Sequence, residues 1–434
     1  MKKIEYPLLG ECVYRTVLKN GLKVNLVPRP NFHKVYGIIS TDFGSNDTHF
    51  CLPDTQEVRK VPAGSAHFLE HKLFEKKDHD AFELFGHFGA DANAFTSYTK
   101  TSFLFSTTTN VKENLEILLD FVQSPYFTAK SVAKEKGIIA QEINMYADDA
   151  DWRLYAGLVK NLYPGQPLSY DIAGTVDSVN QISVKDLYDL YQTFYHPSNM
   201  DLFMVGAIDV TETLEWINKN QAKKEFAPAI VPQRLDGRNE VAAKAVNPEQ
   251  QLAFSVKRAK VAIGIRGFDR LPAGKAGLKY KLALQLLFYL LLGESSQDYQ
   301  ELYNQGIVDD SFDYSVVVER GFHFVWFSGD TDQPAIFRAK LTSLILHATS
   351  VLKTQTVEFQ LAKKEFIGRQ IRAMNVLEAI AEQYEGSLFD DATLFDKIPL
   401  LQELTLEYLL ETAAKFISQP GGMSVYELCP KEDD

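Results

Sequence analysis

His67-Phe68-Leu69-Glu70-His71-Lys72-Leu73-Phe74 sets two imidazoles and a carboxylate close together in the chain. On a helix of about 3.6 residues per turn, His67 and His71 lie roughly 40° apart on one face, and Glu70 projects from the same side. Such a group can bind zinc and activate its water. The order His-x-x-Glu-His inverts the commoner zinc-peptidase order. Catalytic zinc usually takes three protein ligands and one water, so the motif is half of a site and the rest of the chain must supply a third ligand.

The flanking sequence alternates strand and helix signals. Asn20-Gly21 joins Tyr14–Leu18 to Leu22–Val27 as a hairpin, and Val35–Phe43 reads as a further strand. Gly64-Ser65 opens the motif helix, and Ala81–Phe88 is amphipathic. The stretch from Gly89 through Asn93-Ala94-Phe95-Thr96, with Thr101–Thr107, alternates like a strand pair. Val111–Phe121 has helical spacing, and a long helix is expected from about Thr128 to Tyr146.

On that long helix, Glu135, Ile138, Ile139, Glu142 and Tyr146 share one side. A helical glutamate is most often a solvated edge residue. Here two glutamates seven residues apart flank an apolar pair, whereas His79 and His87 sit in a polar, loop-rich stretch. Glu142 is favoured as the third ligand, with Glu135 behind it as the group that orients the site. Spacing alone leaves the reverse assignment open.

A chain of 434 residues suggests about two to four domains. With 45% hydrophobic and 24% charged residues, it has the composition of a globular protein with sizeable cores. The formal net charge of -12 argues against nucleic acid or an anionic membrane as the main partner. Cys12, Cys51 and Cys429 are sparse and far apart, which fits a reducing compartment. The start of the chain has no apolar stretch behind Lys2 and Lys3, and the greasiest run, Leu282–Gly293, reads as a buried helix. A cytoplasmic location is expected.

The two halves echo each other. Ile182–Tyr195 aligns with Leu404–Ile417 at an offset of 222 residues, and Pro197-Ser198-Asn199-Met200 meets Pro420-Gly421-Gly422-Met423 one residue later. A repeat of that length implies two similar domains. The expected organisation is a metal-bearing half over 1–217, a charged, Ala/Pro-rich linker over 218–247, and a second half over 248–434. The second half has no metal motif and carries only His323 and His347, so it is expected to hold substrate or to serve the structure.

Taken together, these residues resemble the pitrilysin/insulinase inverzincins, in particular the short bacterial class related to mitochondrial processing peptidase. The resemblance rests on His67–His71, Asn93-Ala94-Phe95-Thr96, the Glu135/Glu142 pair, Gly174-Thr175 and Tyr195-His196-Pro197-Ser198-Asn199-Met200. It implies an α+β fold of two homologous halves, each an antiparallel sheet backed by helices, closing like a clam shell around a chamber. It implies one Zn2+ per chain held by His67, His71 and Glu142, with Glu135 in support and Glu70 as the catalytic base of an endopeptidase acting on short or unfolded peptides. It also implies that Asn93, Ala94 and Phe95 form an edge strand to which the peptide adds, a mode that fixes an extended backbone without reading its sequence closely.

One departure stands out. Active relatives that work as single chains or homodimers carry an arginine and a tyrosine in a stretch like Leu-Arg-x-x-x-Gly-Leu-x-Tyr. Here Tyr303 stands at the arginine position and Asp309 or Asp310 at the tyrosine position. An ionised carboxylate cannot stabilise a developing negative charge. The expectation is a homologous, metal-free partner subunit that supplies those groups, as a heterodimer, with a homodimer as the other arrangement. The rival reading is an inactive assembly or scaffold subunit of the same family.

Overall fold

The computed structural model describes residues 1–229, 231–235, 245–417 and 421–431. By internal packing the chain forms two units. The first comprises Met1–Asn144, Tyr170–Arg238 and Val376–Gln383; the second comprises Met145–Ser169, Asn239–Asn375 and Tyr384–Asp434.

In the first unit, alternation of apolar and polar residues builds β1 (Lys2–Tyr6), β2 (Glu11–Val17), β3 (Lys23–Pro28) and β4 (Val35–Thr41). After the short pair β5 (His49–Cys51) and β6 (Val58–Lys60) come β7 (Asp91–Thr96), β8 (Thr101–Thr107) and β9 (Met200–Gly206). Seven of them form one sheet in the order β1-β2-β3-β9-β4-β8-β7. The Asn20-Gly21 hairpin and the Asp91–Thr107 pair stand where the sequence puts them. All neighbours are antiparallel except β3 and β9, which run parallel.

The second unit repeats the plan with β10 (Glu249–Phe254), β11 (Ala259–Arg266), β12 (Asp313–Glu319), β13 (Phe322–Thr331) and β14 (Met423–Pro430), in the order β10-β14-β11-β13-β12. Its last strand again inserts between the first two, parallel to β10 and antiparallel to β11. Order and direction match β3-β9-β4-β8-β7, so the internal repeat is a repeat of topology. The fold is α+β with two homologous halves. Each sheet is mixed rather than wholly antiparallel, because its final strand returns through helices and enters beside the first.

Each unit has its own core. In the first, Phe68, Leu69 and Leu73 of the motif helix pack with Phe103, Phe105, Leu115, Leu118 and Leu119, all buried. In the second, the Leu-rich Gly274–Leu292 helix is buried along most of its length with Val261, Ile263 and Phe327. No single helix among the described residues is long and apolar enough to cross a membrane.

The units also trade a helix. Ala150–Leu162, from the first half of the sequence, packs on β11 and β14 within the second unit, and Leu377–Glu382, from the second half, packs on β4 and β9 within the first. Those strand pairs are equivalent in the repeat, so the exchange is reciprocal. Of the stretch 218–247, Asn218–Gln221 still belong to the helix Val210–Gln221, and positions 230 and 236–244, like Pro420, lie outside the described residues.

Candidate metal centre

The motif lies on the Ser65–Phe74 helix, whose start is fixed by close backbone packing. Gly64 has φ +89, and a Cβ there would meet the carbonyl oxygen of Ala173 at 2.4 Å. Gly174, φ +79, would meet the carbonyl oxygen of Ala63 at 2.5 Å, so the two glycines let two loops touch. Thr175 caps the Val176–Gln181 helix with Ser178, whose hydroxyl donates to the Ala63 carbonyl at 2.8 Å. The Gly174-Thr175 signature thus braces the entry to the motif helix.

From that helix His67 and His71 face the Ala129–Ala147 helix. One donor atom from each of His67, His71 and Glu142 lies within 4.8 Å of the others. The separations are 3.7 Å from His67 Nε2 to Glu142 Oε1 and 3.7 Å from His71 Nε2 to Glu142 Oε2. A tetrahedral ion with bonds of about 2.0–2.1 Å holds its ligands roughly 3.4 Å apart, so two nitrogens and one oxygen at this spacing suit zinc. Among the described residues no other cluster of His, Cys, Asp and Glu has metal-binding spacing.

Glu135 lies one side further on. Its Oε1 is 3.1 Å from His71 Nδ1, which fixes the ring so that Nε2 carries the lone pair toward the centre. Lys72, fully buried, pairs with Glu75 and lies 3.9 Å from Glu135 Oε2. Burial pulls the His71 imidazole down, but the Glu135 hydrogen bond and the charges of Glu70, Glu135 and Glu142 outweigh it and hold it above its ordinary value. Burial and the neighbouring His71 push His67 down to about 3, so that ring stays neutral and available as a ligand. Glu135 is held below the usual carboxylate range, because its bond to His71 and the charges of His71 and Lys72 overcome the effect of burial.

Glu70 is buried beside this group. Its Oε2 accepts a hydrogen bond of 2.5 Å from Thr96 Oγ1. Burial raises its pKa, opposed by Thr96 and His71. A carboxyl group whose pKa is raised by burial, next to a metal position, is suited to accept and return a proton.

Asn93, Ala94 and Phe95 lie on β7, an edge of the first sheet. The Ala94 amide is bonded by its neighbour's Asn93 Oδ1 at 2.8 Å. On the metal helix Glu135 and Ile139 are buried while Ile138 is 44% exposed, so the shared face is narrower than sequence spacing indicates. Tyr303, also exposed, donates to Asp310 at 3.1 Å, and Asp309 pairs with Arg258 at 2.7 Å. His323 is engaged elsewhere, with Asp269 at 2.8 Å. Sequence reasoning missed Lys72 and Thr96 as parts of the site. A lysine inside an apolar helical run is the one signal that marks Lys72, and nothing in spacing marks Thr96.

The sequence model of the insulinase family (peptidase family M16) matches residues 57–176, and that of the "Peptidase M16 inactive domain" matches residues 181–364. The uncharacterized zinc protease YmfH of Bacillus subtilis is 43% identical over 409 residues, covering 94% of this chain and 94% of YmfH. The chain belongs to peptidase family M16. Its fold superposes on the crystal structure of an M16-like peptidase from Alicyclobacillus acidocaldarius with a TM-score of 0.92 and 31% identity, covering 99% of this chain and all of the other. The first half of the periplasmic protease PqqL from Escherichia coli shares the fold, with a TM-score of 0.71 at 20% identity, covering 96% of this chain and 92% of that half. Against the structure of PqqL itself, the chain covers 48% of the length.

Proposed function

We propose that this M16 metallopeptidase is a zinc-dependent endopeptidase that hydrolyses short or unfolded peptides within a closed chamber, with one zinc per chain. The observation that carries the reading is the convergence of His67 Nε2, His71 Nε2 and the Glu142 carboxylate, with Glu70 beside them and Glu135 behind His71. The relatives named zinc proteases support it. A zinc ion held by His67, His71 and Glu142 would supply Lewis-acid activation of water and of the scissile carbonyl.

The remaining work falls to the chain's own side chains. Glu70 takes a proton from the attacking water on Oε1, since Oε2 is engaged by Thr96, and delivers it to the leaving amine. Glu135 keeps His71 in one tautomer and one orientation. β7 offers Asn93-Ala94-Phe95 as an edge to which an extended peptide adds by backbone hydrogen bonds, beside the base. The three sparse cysteines support a cytoplasmic setting.

The acidic Asp309 and Asp310 and the exposed Tyr303 support the need for a homologous, metal-free partner subunit, or a second copy, to complete the substrate grip. The same residues favour the second reading, an inactive assembly subunit. One experiment separates them. The purified chain is assayed for zinc and for cleavage of a generic quenched peptide, with and without chelator, beside Glu70→Gln. The proposal expects chelator-sensitive cleavage by the wild type, alone or with its partner, and a variant that keeps zinc but loses at least about 100-fold in turnover. Zinc-loaded wild type that cleaves nothing in either state supports the scaffold reading, and a Glu70→Gln chain of wild-type rate removes Glu70 as the base.

A further inference from the structure

Glu70 reaches the metal centre on a flexible stem with three side-chain torsions, yet a general base works only when its oxygen is aimed at the proton it removes. The motif helix places Glu70 but does not by itself fix the carboxyl. Among the described residues, one side chain donates a hydrogen bond to it: Thr96 Oγ1, to Oε2, at 2.5 Å.

As a general base Glu70 must be ionised, and that form fixes the direction of the bond. An ionised carboxylate has no hydrogen to give, so Thr96 is the donor. Thr96 pairs with Thr101 across the β7–β8 hairpin, and their hydroxyl oxygens are 3.5 Å apart. Thr101 sends its own hydrogen to the Phe43 carbonyl at 2.9 Å and is fully buried. Thr96 has a single hydrogen, and of the two acceptors in reach the Glu70 carboxylate at 2.5 Å takes it over the Thr101 hydroxyl at 3.5 Å. Glu70 is 7% exposed, so bulk water is a poor substitute for that donor, and a charge-assisted bond in such surroundings is stronger than in water.

Thr96 is also the last residue of β7, directly after Asn93-Ala94-Phe95. We propose that Thr96 is a positioning residue for Glu70: its hydroxyl pins Oε2 so that Oε1 faces the reacting water, and its place on the edge strand ties that aim to the docking of an extended peptide. The inference rests on the peptidase reading above and deepens it. The substrate class that profits is a peptide long enough to pair with β7. A substrate too short to pair gains nothing from the link.

The test uses the full chain, with its partner if the wild type needs one, and a quenched peptide long enough to lie along β7. Thr96→Val keeps the shape and removes the hydroxyl, and Thr96→Ser keeps the hydroxyl. Thr96→Ala repeats the measurement should the added methyl crowd Glu70. Each is made in the wild type and in Glu70→Gln. Zinc per chain by elemental analysis and the affinity of Glu70→Gln for the uncleaved peptide serve as readouts apart from turnover. The expected result is a kcat lower by about 10- to 100-fold in Thr96→Val, with KM, zinc and peptide affinity within about threefold of the parent. Thr96→Ser recovers most of the rate. In the Glu70→Gln background Thr96→Val costs no further rate, as two residues acting through one group require. An active wild type matched by Thr96→Val and Thr96→Ala, or an equal loss in both backgrounds, overturns the inference alone. A zinc-loaded wild type that cleaves nothing overturns the peptidase reading and this inference with it.

Discussion

Glu135 and Lys72 show how far the metal centre extends beyond its ligands. Replacing Glu135 by Gln exchanges a carboxylate for an amide that cannot hold His71 as firmly, and zinc affinity should fall about 10- to 100-fold, read by competition with a chromophoric chelator. Lys72→Ala removes a cation with no exposed surface and leaves Glu135 and Glu75 without it. Glu75 is partly exposed and Glu135 lies at 3.9 Å, so the loss should be about 1–3 kcal/mol, read as a lower urea midpoint; an unchanged midpoint would mean the lysine is not held by those carboxylates. At this scale the sequence is legible for His67, Glu70 and His71, because their spacing is local to one helix. The choice between Glu142 and Glu135 is not, since residues seven apart share a face and only the docking of the second helix decides which one meets the imidazoles. Thr96 is hidden for the same reason: its partner lies 26 residues away on another element.

Two glycines near the site, Gly174 in a loop and Gly137 within a helix, behave oppositely. Gly174→Ala would force a positive φ on a residue with a Cβ and drive that Cβ against the Ala63 carbonyl, at a cost of about 1–3 kcal/mol in stability. Gly137, inside the helix that carries Glu135 and Glu142, has open space around it. Gly137→Ala should raise stability by about 0.5–1 kcal/mol through helix propensity alone. Thermal melts of the two variants should therefore move in opposite directions. Helices and hairpins were readable because their periodicity and turn residues are local, as with Asn20-Gly21 and the Leu-rich Gly274–Leu292. The insertion of β9 beside β3, and of β14 beside β10, follows from long-range pairing that no local pattern encodes.

The whole molecule is two copies of one topology that exchange a helix, so the sequence halves and the packed units differ. The echo of Ile182–Tyr195 in Leu404–Ile417 made the duplication visible, while the crossing of Met145–Ser169 and Val376–Gln383 into the opposite units depends on packing alone. Where the chain returns to the second unit, Glu385, its side chain 10% exposed, binds Lys281 at 2.9 Å and Lys397 at 2.8 Å. Burial alone would raise its pKa, but the two ammonium groups hold it below the ordinary 4.5. A carboxyl depressed in the folded state contributes stability that is complete above its unfolded value and is lost as pH falls through the folded one. Glu385→Gln should thus lower stability at pH 7 and flatten the acid slope below about pH 4.5, measurable by urea unfolding across pH; a parallel slope in both proteins would contradict it. Whether His67, His71 and Glu142 close around one zinc can be read by zinc K-edge absorption on the purified chain. The spectrum should show one zinc per chain with two imidazole nitrogens and only oxygen otherwise, losing a protein ligand in Glu142→Ala. Sulfur in the coordination shell, or an identical spectrum and zinc content in Glu142→Ala, would contradict it.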